Sequence, residues 1–267
     1  MIGLLIVVAI ALAMVMSAAW LVQRMTGNTG WVDVFWTFGT GAAGVAFALW
    51  PLDNTGINAR QEAVAVLVAV WALRLGSHIA IRASAGRDDS RYADLRTQWG
   101  AAFELKLFGF LMIQALVAWA LALSMLLAAR NPVPGFRLQD WLAAAVLVGS
   151  IVGEALADRQ LRRFMAKPAN KGRICDTGLW SWSRHPNYFF EWLGWVAYPL
   201  FAISTTWWWG WLALSGAGVM FWTLRYASGV PPLEAHMQRR HPEAFGRYKA
   251  RVNIFFPAPP RLSGDAR

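Results

Sequence analysis

Long apolar runs recur along the chain, separated by short polar connections. Seven can be read, at 2–22, 31–50, 61–81, 105–129, 138–157, 188–204 and 207–227. A run of about 20 apolar residues crosses a bilayer as an α-helix, because each backbone polar group is then satisfied within the segment. The pattern predicts an all-α polytopic membrane protein with seven transmembrane helices. The sixth run is the shortest and contains Pro199. The first lacks the basic flank of a signal peptide and exceeds an h-region of about 7–15 residues, so it reads as a retained helix. No internal repeat, low-complexity tract or long linker divides the chain. Residues 1–267 are read as a single domain, with a tail at 228–267 after the last helix.

Composition supports this pattern. Apolar residues make up 57% of the 267 and charged residues 15%, which excludes a soluble globule, a disordered chain and a coiled coil. Cys175 stands alone, so no intrachain disulfide forms. The net charge of +10 could serve nucleic acid, anionic lipid or an anionic small ligand. Placement separates them: 21 of the 25 Lys and Arg fall on one side of the predicted membrane, three on the other, and Arg74 lies within the third run. The positive-inside rule then puts the N-terminus outside and the C-terminus in the cytoplasm. Topology accounts for most of the asymmetry, and no nucleic-acid partner is expected.

Gly39, Gly41 and Gly44 spell GxGxxG, but a dinucleotide fingerprint needs a preceding strand and a free helix N-terminus. In mid-span these glycines predict close helix packing. The Trp207 to Trp211 stretch reads as an interfacial aromatic belt. Ionisable groups within a span are costly, so each asks for a partner or a function. Asp33, Arg74, His78, Arg82, Glu154, Asp158, Arg184, His185, Asn187, Tyr188, Glu191, Arg225 and Tyr226 all fall toward the basic side, while Gln61 and Glu62 fall at the other end. Each has a plainer role open to it: Asp33 as a cap, Arg74 in an ion pair, Glu154 snorkelling. Together they predict a water-accessible cavity open to the cytoplasm. The four histidines are scattered without metal-ligand spacing, and no metal is expected.

The stretch GLWSWSRHPNYFFEWLGW (178–195) is preceded by DRQLRR (158–163) and followed by YKARVNIFFP (248–257), with SRYADLR (90–96) upstream. It resembles the C-terminal domain of the steroid 5α-reductase family, and more specifically the bacterial membrane proteins of that superfamily grouped as DUF1295. The similarity is best over 149–257 and weaker over the second and third runs. It implies a membrane reductase of the bacterial inner membrane that binds NADPH at the cytoplasmic side. Hydride would pass to the C=C bond of a lipophilic enone such as a 3-oxo-Δ4-steroid, entering from the bilayer among the lipids. By the family's motif, Asp158, Arg173 and Asn187 fall at cofactor positions and Glu191 at the acid of the NxxxE step. Glu154 stands where the family has an asparagine. Arg162 or Lys167 replaces a displaced arginine, and Tyr226, Glu234 and His236 are the candidates for a tail His and Tyr. The family polarises the substrate ketone with a Gln-Glu pair on the second helix and a Tyr on the third. Gln61-Glu62 has those letters but heads the third run, so Asp33 is the preferred counterpart, with Glu62 kept open, and Trp71 falls near the Tyr.

On this reading Arg162, Lys167, Lys171 and Arg173 hold the phosphates, for which guanidinium geometry is well suited. Asp158 and Asn187 meet ribose and amide groups, and Arg74, His78, Arg82, Glu154, Arg184, Tyr226, Glu234 and His236 complete the cofactor set. Tyr188, His185 and Glu191 wall the nicotinamide end, and Asp33, Trp71, Tyr188 and Glu191 are the catalytic candidates. A carboxyl donates to the growing enolate oxygen only when protonated, which apolar burial favours. The RHPxY stretch and the YxxxV…P tail are also similar to isoprenylcysteine carboxyl methyltransferases, which bind S-adenosylmethionine. That alternative gains little from phosphate-binding cations. A non-enzymatic lipid-binding membrane protein is the third reading, and the oligomeric state stays open.

Overall fold

The computed structural model describes residues 1–51, 56–86 and 90–261. Arg87 and Arg267, both counted in the charge asymmetry, lie outside the described residues, as do the rest of 262–267 and the side chain of Ser90. Every regular element among the described residues is helical. The helices are α1 (Ile2–Thr26), α2 (Gly30–Leu49), α3 (Ala59–Ser84), α4 (Ser90–Trp99), α5 (Phe103–Ala129), α6 (Leu138–Met165), α7 (Pro186–Ala202), α8 (Leu214–Trp222), α9 (Val230–Arg240) and α10 (Pro242–Arg251). Among the described residues, five segments are long and apolar enough to cross a membrane: α1, α2, α3, Arg91–Ala129 and α6. They point to a membrane protein.

The last two apolar runs take shorter forms. α7 has 17 residues, about 26 Å at 1.5 Å per residue, against a hydrocarbon core of about 30 Å. The final run is divided into a 3₁₀ segment (Trp208–Ala213), α8 and a π-helical turn (Thr223–Ala227). Backbone passes close to backbone at a glycine near each end of this run. A Cβ at Gly210 would overlap the Ala202 carbonyl, and one at Gly229 would overlap the Leu224 backbone. The tail at 228–267, for which no elements are expected from sequence, forms α9 and α10.

The chain packs as two compact units, Met1–Ala145 with Val196–Val219, and Val146–Trp195 with Met220–Arg267. In the first, α2 packs against α1, α3 and α5 around a core that includes Leu12, Met16, Phe47, Leu107 and Leu111. The GxGxxG glycines serve this packing. A Cβ on Gly41 would overlap the Ala72 methyl, and one on Gly44 the Met125 sulfur. α3 begins at a capping box: the Asn58 side chain accepts from the Gln61 N–H at 3.0 Å, and the Asn58 N–H donates to Gln61 Oε1 at 3.1 Å. Gln61 Nε2 also donates to the Ala48 carbonyl at 2.8 Å. In the second unit, Phe245, Tyr248 and Val252 of the tail pack with Ile174 and Met237. Phe189, Trp192, Phe221, Phe255 and Phe256 form an edge-to-face aromatic cluster.

Candidate functional site

The second unit builds its site on the segment that enters α7. Ser183, Arg184 and His185 are buried just before Pro186, whose fixed φ and missing N–H suit the first helical position. The tail holds this segment in place. The Arg184 N–H donates to the Asn253 carbonyl at 2.8 Å, and Ser183 Oγ donates to the Phe255 carbonyl at 2.7 Å while accepting from the His185 N–H at 3.1 Å. Tyr248 Oη donates to the Trp180 carbonyl at 2.6 Å, and burial raises that phenol well above its usual range. Trp180 Nε1 in turn donates to the Ala157 carbonyl on α6 at 3.0 Å.

Glu234, from α9, joins the two basic side chains. Arg184 Nε donates to Glu234 Oε1 at 2.7 Å and Arg184 Nη1 to the Val252 carbonyl at 2.7 Å. His185 Nε2 lies 3.2 Å from the same carboxylate oxygen. Burial alone would raise the Glu234 pKa, but the hydrogen bonds from His185 and Arg184 and the Arg184 charge outweigh it and hold the carboxyl at about 2. For His185, which is 4% exposed, burial outweighs the attraction of Glu234 and lowers the pKa, with the Arg184 and Arg225 charges adding to the effect. The ring is therefore neutral near pH 7. Since the ionised Glu234 only accepts, Nε2 carries the proton and Nδ1 is left as a bare acceptor. Nδ1 is buried and has no partner among the described residues. The ring stacks on Tyr188, in the first turn of α7, at 5.6 Å between centroids and 8° between planes.

Glu191 is buried further along α7 and accepts from Trp195 Nε1 at 2.9 Å, the i,i+4 spacing placing both on one face. Glu154 and Asp158 share a face of α6 and are also buried. Asn187 and His236 are half-buried, whereas Arg162, Lys167, Lys171 and Arg173 are exposed. Tyr226 is exposed beneath the Arg225 guanidinium at 4.7 Å. Of the tail candidates, Glu234 is the one the structure joins to Arg184 and His185. Ser183 and Tyr248, which position that pair, lie within the quoted motifs at 178–195 and 248–257 but carry no expected site role; they act by bonding backbone carbonyls, which side-chain type alone does not announce.

The first unit holds Asp33, Trp71, Arg74, His78 and Arg82. The Asp33 carboxylate pairs with Arg91 and lies 3.5 Å from Tyr92 Oη, which accepts from Gln114 Nε2 at 3.3 Å. An ion-paired carboxylate accepts hydrogen bonds, so the groups that donate to Asp33 are Arg91 and Tyr92. Trp71 is buried in α3, Arg74 and His78 are half-buried below it, and Arg82 is exposed at the helix end. Gln61 is committed to the α3 cap, and Glu62 is exposed beside it.

The family model described as "Protein of unknown function (DUF1295)" matches residues 19–252. The chain is similar to the uncharacterized protein C594.04c of Schizosaccharomyces pombe, 27% identical over 278 residues, which cover 92% of this chain and 76% of that one. No solved structure matches. The match over most of the chain makes this protein a member of the DUF1295 family, part of the steroid 5α-reductase-like superfamily.

Proposed function

We propose that this protein is an NADPH-dependent membrane reductase acting on the C=C bond of a lipophilic enone. We further propose that the chain crosses the bacterial inner membrane seven times, with its C-terminus cytoplasmic. The observation that carries the reading is the Arg184–His185–Glu234 cluster and its open Nδ1 acceptor. A buried acceptor without a protein partner suits a donor from a bound group. The amide and ribose hydroxyls of a nicotinamide nucleotide are such donors, and the exposed Arg162, Lys167, Lys171 and Arg173 suit its phosphates. The residues present therefore fit the cofactor, whose chemistry would be hydride donation.

The protein's own part is orientation and charge. Arg184 keeps Glu234 ionised, Glu234 sets the Nε2–H tautomer of His185, and Tyr188 holds the ring plane by stacking. Asp158 and Asn187 would meet sugar and amide groups.

A second reading has one observation in its favour. Glu154, Asp158 and Glu191 outnumber Arg184 among the buried charged side chains of the second unit, and carboxylates suit the sulfonium of S-adenosylmethionine. The two readings part on the phosphates. Protein purified in mild detergent is expected to carry NADPH by mass spectrometry and to oxidise it with at least one member of a lipophilic enone panel. Lys171→Ala with Arg173→Ala is expected to weaken NADPH binding about tenfold or more while leaving S-adenosylmethionine titrations unchanged. Binding of S-adenosylmethionine with no response to NADPH would replace the proposal with the methyltransferase.

A further inference from the structure

The connection between α5 and α6 carries a cationic cluster that the reductase reading does not use. Arg60, at the start of α3 and 3% exposed, donates through Nη1 to the carbonyls of Asn131 and Val133, each at 2.8 Å. Its Nη2 reaches the Gly135 carbonyl at 2.6 Å and Asp140 Oδ2 at 2.9 Å. Arg137 grips the same carboxylate through Nε at 3.2 Å and Nη2 at 2.8 Å. Two guanidinium groups thus share one fully buried carboxylate, and the cluster carries an excess positive charge. The C-terminus of α7 offsets part of it, about half a charge. Its carbonyls at Leu200, Phe201, Ala202 and Ile203 are met by Gln139, Asn131 and Arg137.

Beside this cluster lies a cavity of about 360 Å³, lined by Arg137, Gln139, Ser204, Thr205, Thr206 and Trp211 among others. Donor accounting shows what it can take. Four of the five N–H groups of Arg137 are spent, leaving one on Nη1. Ser204 Oγ is buried without a partner among the described residues. Both N–H groups of Gln139 are spent on the α7 carbonyls, which leaves its side-chain oxygen as an acceptor. Since α5 and α6 are both long and apolar enough to cross a membrane, their connection lies at a membrane surface. Exposed Trp141, Trp208, Trp209 and Trp211 mark the head-group level around it.

We propose that this cavity binds the phosphodiester head group of an anionic lipid, the single negative charge meeting the Arg60–Asp140–Arg137 cluster and its oxygens meeting Ser204 and the free Arg137 N–H. A head-group hydroxyl would donate to Gln139. The site lies wholly in the first unit and stands independently of the reductase reading.

Native mass spectrometry of the full chain in mild detergent tests it with three probes: dioleoylphosphatidylglycerol, dioleoylphosphatidylcholine and inorganic phosphate. The expected result is phosphatidylglycerol binding at least tenfold tighter than phosphatidylcholine, with phosphate weaker than either. Ser204→Leu, which fills the cavity, and the milder Thr205→Ala/Thr206→Ala, which removes hydroxyls from its rim, should each weaken phosphatidylglycerol binding without changing the unfolding temperature of lipid-free protein. Equal binding of the two lipids, or full retention of phosphatidylglycerol by both variants, overturns the site. Phosphate binding as tightly as the lipid overturns the lipid assignment.

Discussion

At the scale of single residues, Glu234 carries the heaviest consequence. Replacing it by Gln leaves the buried Arg184 without its counter-charge, and breaking a buried pair in this way costs about 3–5 kcal/mol. Glu234→Gln should lower the unfolding free energy in detergent by that order, whereas Glu243→Gln, whose carboxylate sits on the surface beside Arg247, should leave it unchanged within about 0.5 kcal/mol. Protonation follows from the same cluster. His185 titrates lower in the folded protein than its ordinary value of 6.5, so the unfolded chain binds more protons between the two values. Its contribution is complete above pH 6.5 and is lost as pH falls through the folded pKa. Glu234, at about 2 against an ordinary 4.5, adds a second loss between pH 4.5 and 2. Stability measured against pH should fall on acidification below 6.5, and His185→Phe should remove the upper part of that fall.

At the scale of elements, the glycines of α2 show how a short motif takes its meaning from its surroundings. A side chain at Gly41 meets α3 directly at Ala72, so Gly41→Val must push α2 and α3 apart or strain its rotamer, at about 1–3 kcal/mol. Gly149 of α6, with open space at its Cβ, is the control: Gly149→Ala should hold or raise the unfolding temperature. The α3 cap teaches the same lesson from the polar side. Gln61-Glu62 resembles a ketone-polarising pair by letters alone, yet Asn58 three residues earlier is the capping-box signal. Asn58→Ala should cost about 1 kcal/mol of stability and leave turnover unaffected.

At the scale of the whole molecule, sidedness is the testable quantity. Cys175 is the sole cysteine and is buried, with burial raising its pKa, so maleimide should react slowly with the native protein. Cysteines introduced as Gly3→Cys and Arg261→Cys then report the two ends in intact cells. Seven crossings require labelling from opposite sides, with position 261 protected until the membrane is opened. Labelling of both from the same side would mean that one of the short elements, α7 or the 3₁₀–α8 stretch, does not cross.

The sequence by itself determined the all-helical membrane character, the places of the five long helices and the family. Each follows from hydrophobic period and local motif, which read out along the chain. It also picked Arg184 and His185, because ionisable groups at the ends of apolar runs are costly enough to stand out, and Glu234 through the family resemblance. Only the tertiary structure decided that these three meet, that His185 is neutral with an open Nδ1, that Asp33 is spoken for by Arg91, and that Arg60 and Arg137 share Asp140. The partners in these contacts are separated by between 3 and 80 residues, most by 49 or more. The free energy that sets their protonation depends on burial and distance in space, which sequence spacing does not contain.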